Sequence, residues 1–220
     1  MVEKCVRTIR NNRMLNFLKK IRLSPQKKFW QYFLDSRKEL ENFIDSDLSD
    51  YTAYNKLTDE IRKFSCLLFA EVTKYSDEKY VLILTPDGKF EGIGDTQKLF
   101  DSRPEIDNWI IEKFRQPRDK IHFKYDGLEF PSSDIEIFAE LNPEKEKFDL
   151  QIFIRNMYFD EQKYQTIAWL YLDNILGEFN SITKIGYVDF FNLEDGKTVK
   201  NGITILELRK LIDKEIYKVY

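Results

Sequence analysis

The sequence predicts an α+β fold in which N-terminal helices pack beside a mixed, mainly antiparallel sheet, with further helices near 160–178 and 204–216. Three observations carry this. Up to about residue 65, apolar residues recur three and four apart, the helical period. Beyond that point the period changes, and runs rich in β-branched and aromatic residues take over. The elements run as helices, then β-β-β-α-β, then several strands, then α-β-α. That order lacks the alternating βαβ rhythm of a doubly wound sheet. No internal repeat is visible.

Residues 1–23 place Met14, Phe17, Leu18 and Ile21 on one helical face within a basic segment, and Met14 is an alternative start of the chain. Ser24-Pro25 reads as an N-cap followed by proline at the first helical position. Phe29, Trp30, Phe33, Leu34, Leu40, Phe43 and Ile44 continue at helical spacing; Ser36 and Glu39 have capping-box spacing, which allows two helices with a bend. Tyr54, Leu57, Ile61, Phe64 and Leu68 form a core stripe of a helix near 50–65.

Strands are expected over 66–74 and 79–85, then a type I turn at Thr85-Pro86-Asp87-Gly88 with a short strand returning through Phe90. A short helix capped by Asp95 spans 95–102 and ends before Pro104, and residues 108–115 read as a strand stopped by Pro117. Strands follow at 120–125, 128–131, 134–141 and 147–155, the first two joined by the tight-turn pair Asp126-Gly127. A helix over 160–178, a strand over 182–191 and a final helix opened by the Thr204/Glu207 capping box complete the chain.

Several blocks occur together in one order: Lys28-Phe29-Trp30-Gln31-Tyr32-Phe33, Leu82-Ile83-Leu84-Thr85-Pro86-Asp87-Gly88, Trp109 followed by Phe114-Arg115-Gln116-Pro117, and Leu172-Asp173 with Leu176-Gly177-Glu178. Over roughly residues 27–215 the chain resembles an uncharacterised family of bacterial hypothetical proteins. The resemblance implies a bacterial, cytoplasmic protein and brings no activity with it.

The net charge of −3 hides a split: residues 1–30 hold nine Lys and Arg against one Glu, which leaves −11 for the rest. A basic N-terminal arm, 1–23, is thereby set apart from a single α+β domain over 24–220. No apolar run approaches the roughly 20 residues of a membrane span. No apolar stretch with a small-residue cleavage site follows the basic N-terminus, so no secretory signal is read. Cys5 and Cys66, far apart, are expected as reduced thiols of a cytoplasmic protein.

Chemistry-bearing motifs are scarce. His122 is the only histidine, so no metal centre and no cofactor are expected; its alternation with Ile121 and Phe123 reads as a solvent-facing strand position. Gly92-Ile93-Gly94 lacks the third glycine of a dinucleotide loop, because Gln97 stands there. Asp173 and Glu178 lie five apart, on different faces of one straight helix, and so do not read as a pair. Asp134, Glu136 and Glu140 share a strand face by period two, an acidic row able to meet a basic partner or a hard cation, or simply solvated. Trp30, Trp109 and Trp169 are expected as core anchors. An acidic body argues against nucleic acid.

The expected function is non-enzymatic protein binding or regulation, one form being neutralisation of a basic partner such as a toxin. Alternatives are a carboxylate-based enzyme, with or without a metal, and a protein contacting membrane surfaces through the basic segment 14–23.

Overall fold

The structure, a computed structural model, describes residues 23–46, 50–119, 121–157 and 161–216. The expected arm and its face at Met14, Phe17, Leu18 and Ile21 lie outside these residues, as does Cys5. The fold is α+β, with six helices and three sheets among the described residues. No described helix is long and apolar enough to cross a membrane.

Helix α1 spans Pro25–Asp45, and Ser24 Oγ caps it by accepting from Lys27 N at 3.3 Å. It is one helix, without a second start at Ser36. The Ser36 hydroxyl donates back to Tyr32 O at 2.8 Å, a bond made inside a continuing helix rather than a cap. Helix α2 spans Thr52–Phe64.

The first sheet holds β1 (Phe69–Ser76), β2 (Lys79–Thr85) and β3 (Trp109–Lys113) in that order. β1 and β2 are an antiparallel hairpin, and β3 runs parallel to β2 after a crossover through α3 (Ile93–Asp101). The strand expected through Phe90 is absent: Phe90–Gly92 is a 3-10 turn leading into α3. With β1 and β3 on its two sides, β2 has no edge left for a returning strand. Asp95 falls inside the first turn of α3, next to Lys98, and does not cap it.

A two-residue ribbon, β4 (Lys124–Tyr125) and β5 (Leu128–Glu129), closes through Asp126-Gly127 with φ of 47° and 80°. Such paired positive φ values are what a tight hairpin turn needs. The last sheet holds β6 (Ile135–Asn142), β7 (Lys147–Arg155) and β8 (Ile185–Leu193). β6 and β7 are antiparallel, and β8 is parallel to β7. The crossover is not the single helix expected over 160–178. It is α4 (Glu161–Leu176) and α5 (Glu178–Lys184), broken at Gly177, whose φ is +81°. Helix α6 (Ile205–Ile216) is the last described element. The expected single sheet is thus divided, and its two larger parts share one topology: hairpin, helical crossover, strand parallel to the hairpin's second strand.

Each larger sheet has its own core. Phe29, Trp30, Phe33, Leu57, Ile61 and Leu99 pack with Leu82, Leu84 and Trp109 of the first sheet. Trp30 Nε1 donates to Leu99 O at 3.0 Å and Trp109 Nε1 to Glu41 Oε1 at 3.1 Å, so both buried indoles are satisfied. In the second core Ile167, Ala168, Tyr171 and Ile175 of α4 and Leu208 and Ile212 of α6 cover Ile135, Ile137, Leu150, Ile152 and Ile154. The Tyr171 hydroxyl donates to Phe130 O at 2.7 Å.

The capping box that opens α6 is formed in both directions: Thr204 N donates to Glu207 Oε2 at 2.9 Å, and Glu207 N to Thr204 Oγ1 at 3.2 Å. We expect Thr204→Ala to lower unfolding free energy by about 1 kcal/mol in a urea titration. An unchanged midpoint would mean that the box does not hold α6.

Candidate functional site

Two parts of the molecule gather functional side chains. The first is the junction of the two layers. Gly177 ends α4 where a Cβ would lie 2.9 Å from Pro117 Cγ, so glycine is required both by its φ and by the close approach. The break turns Glu178 inward. Its carboxylate, with no exposed surface, accepts from Thr85 Oγ1 at 2.5 Å, Gly88 N at 3.1 Å and Arg115 N at 3.1 Å. Arg115 reaches from the end of β3 to Glu71 at 2.6 Å, Asp87 at 2.9 Å, Asp173 at 3.4 Å and Glu178 at 3.6 Å.

Asp173 and Glu178, unpaired on a straight helix, therefore converge on one guanidinium because the helix breaks between them. Burial raises the Asp173 carboxyl above its ordinary range; the Ser181 hydrogen bond and the Arg115 charge oppose the rise, and Glu178 and Asp87 add to it. Four carboxylates around one arginine leave the junction with surplus negative charge.

The second part is the face of the β6-β7-β8 sheet turned away from α4 and α6. Register aligns Glu136, Phe153 and Phe191 across the three strands, and beside them Phe138, Gln151 and Asp189. The Phe153 and Phe191 rings stack at 5.1 Å with 24° between planes. Phe191 is 39% exposed and Tyr187 is 67% exposed. The register shifts between Phe148 and Leu150 opposite Gly186, where a Cβ would overlap Asp149 Oδ1. That oxygen accepts from Tyr187 N at 2.7 Å, and this bond holds the Asp149 carboxyl below its ordinary range.

The outer strand of this face, β8, is the least guarded sheet edge. β1 carries Glu71 and Lys74; β3 is five residues long with Glu112 and Lys113. β6 is bridged by Ile203, the two residues Ile137 and Ile203 exchanging both backbone bonds at 2.8 Å. β8 has nine residues, one of them charged (Asp189), and no strand beyond it among the described residues. Exposed apolar edges are usually blunted by charge, proline or cover.

The acidic row is placed in part. Glu136 and Glu140 lie on the open face of β6, opposite the buried Ile135 and Ile137, as the alternation predicts. Asp134 lies in a 3-10 turn, Ser132–Asp134, just before the strand. Glu136 is already engaged by Arg155 at 3.4 Å and by Val199 N at 2.7 Å, whereas Glu140 is exposed.

His122 is exposed, 3.3 Å from Glu129 Oε2, outside any strand. Cys66 is an exposed free thiol. Trp169, expected as a core anchor, is 40% exposed against 3% and 6% for Trp30 and Trp109. Among the described residues no group of three or more His, Cys, Asp or Glu side chains is placed to hold a metal ion. Compared with protein-family models, curated proteins and solved structures, the chain matches none.

Two predictions follow from these contacts. Glu136→Lys loses the Arg155 ion pair and strands Val199 N–H, so we expect a cost of about 1–3 kcal/mol, while Glu140→Lys stays within about 0.5 kcal/mol. Equal midpoints for the two variants in urea would contradict this. For Asp173, a raised carboxyl means that the folded state holds its proton more tightly than the unfolded chain. The cost of ionising it is absent below the ordinary carboxylate range and accrues as pH rises through the raised value. Asp173→Asn should therefore gain melting temperature relative to the parent as pH climbs from about 3 to 7. A difference that is flat across that range would sink the assignment.

Proposed function

We propose that this is a non-enzymatic binding protein that accepts an extended, positively charged segment of a partner protein along β8 and the aromatic face beside it. The observation that carries the reading is the unguarded β8 edge, flanked by the exposed Tyr187 and the stacked Phe191. An added strand gains main-chain hydrogen bonds from such an edge, and side chains on alternate positions supply specificity. The face around it carries Glu136, Glu140, Asp149 and Asp189 against Lys147 and Arg155, an acidic excess that suits a basic partner. Neutralising a basic partner such as a toxin is one concrete form of this role, and a cytoplasmic setting agrees with the free Cys66 thiol. The carboxylates of the junction give an enzyme reading less support, because Glu71, Asp87 and Glu178 are committed to Arg115 and to backbone donors.

The test is purification from the native cell, followed by hydrogen exchange. The parent should retain a stoichiometric partner that protects β8 amides and dissociates with rising salt. Tyr187→Lys combined with Phe191→Lys restores the guards that the edge lacks, and should lose the partner with an unaltered circular dichroism spectrum. Equal retention by this variant, or no partner with the parent, defeats the reading.

A further inference from the structure

At the head of β8 lies a cleft of about 340 Å³ between α4, α5 and the turn after β2, lined by Gly88, Trp169, Asp173, Ser181, Ile182 and Gly186 among others. Trp169 and Asp173 stand four residues apart on α4, so their side chains share one wall of it. An indole held partly out of the core beside a carboxylate is the pairing that recognises an organic cation: the ring face attracts the charge and the carboxylate neutralises it. The walls between these two groups are small or apolar, with glycine at 88 and 186 and isoleucine at 182, which suits the methylene stem of a long side chain. Behind Asp173 stand Glu71, Asp87 and Glu178, three further carboxylates sharing Arg115 with it. Two cations stand against these four carboxylates, Arg115 and Lys147, whose Nζ donates to Ile182 O in the cleft wall at 3.4 Å, so a carboxylate excess remains around the cleft and favours a positive group over an anion.

We infer that this cleft receives a lysine ammonium or arginine guanidinium of the segment bound along β8, seated between the Trp169 ring and the Asp173 carboxylate. The inference rests on the strand-addition reading, since Ile185 and Gly186 begin β8 and also line the cleft. A side chain of the added strand pointing toward the helix side of the sheet reaches the cleft, while its neighbours point to the open face. The cleft thus fixes the register of the partner by one basic residue.

A small probe tests the cleft without the partner. Trp169 is the one exposed indole of three, so its emission reports occupancy. The full chain is titrated at constant ionic strength with n-butylammonium and, separately, with n-butanol, its uncharged isostere. The expected result is a saturable change with butylammonium in the range of about 1–10 mM and none with butanol. Trp169→Phe should abolish the signal, and Asp173→Asn should weaken binding by about tenfold or more. Equal responses to the two probes, no saturable response, or undiminished binding by Asp173→Asn would overturn the inference. The probe comparison needs only the parent chain, so it decides even where a variant fails to fold. Protection of β8 amides by the partner is a separate measurement. Failure of the cleft with β8 protection intact removes only the basic anchor; loss of β8 protection removes the strand reading.

Discussion

A carboxylate without exposed surface, Glu178, constrains the rest of the structure. Taking an ion out of water costs several kcal/mol unless donors replace its hydration shell. Here the donors come from three places: the Thr85 hydroxyl, the Gly88 amide, and the Arg115 amide with its guanidinium close by. The Gly88 and Arg115 amides and Glu178 itself each directly follow a residue of positive φ. Asp87, Phe114 and Gly177 have φ of 51°, 60° and 81°. For a bulky residue such as Phe114 that region is sparsely populated, and it persists where surrounding contacts over-determine it. Those contacts are present: Phe114 N donates to Leu84 O at 2.8 Å, and its buried ring meets Phe179 at 5.2 Å.

Local signals were the legible ones. Strand β2 was expected over 79–85 and is found there, because its six buried residues form an unbroken run bounded by charged and turn residues. The Ser24 cap and the Thr204/Glu207 box were readable because capping is chemistry within three residues of itself. What failed depended on partners distant in sequence. The return strand through Phe90 is missing since both sides of β2 are taken, one of them by a strand more than twenty residues later. One sheet was expected where the described residues form three, because periodicity tells which residues pair with a neighbour but not which strands share a sheet.

The same divide governs the candidate sites. Glu136 and Glu140 share one face by alternation alone, while nothing in the sequence marks Arg115 as an ion-pair hub, since its four carboxylates are spread from position 71 to 178. The sign that could have joined Asp173 to Glu178 was Gly177, a residue that ends helices. Reading 160–178 as one straight helix separated the two by geometry that the chain does not have. An indole is expected in the core because indoles usually are buried; the neighbours of Trp169 on α4, Ala168 and Ile167, do face inward, and the helix turns Trp169 past them.

The repeated hairpin–crossover–strand topology bears on how the chain is made. Each hairpin closes over a few residues, a cheap loop, so either layer can begin to form on its own. Synthesis runs from the N-terminus, and early segments have time to fold before later ones emerge. Every donor to Glu178 belongs to residues 85–115 and the carboxylate itself comes some sixty residues later. The socket is therefore built first and the ion delivered to it, an order that spares the nascent protein a buried charge with nothing to neutralise it.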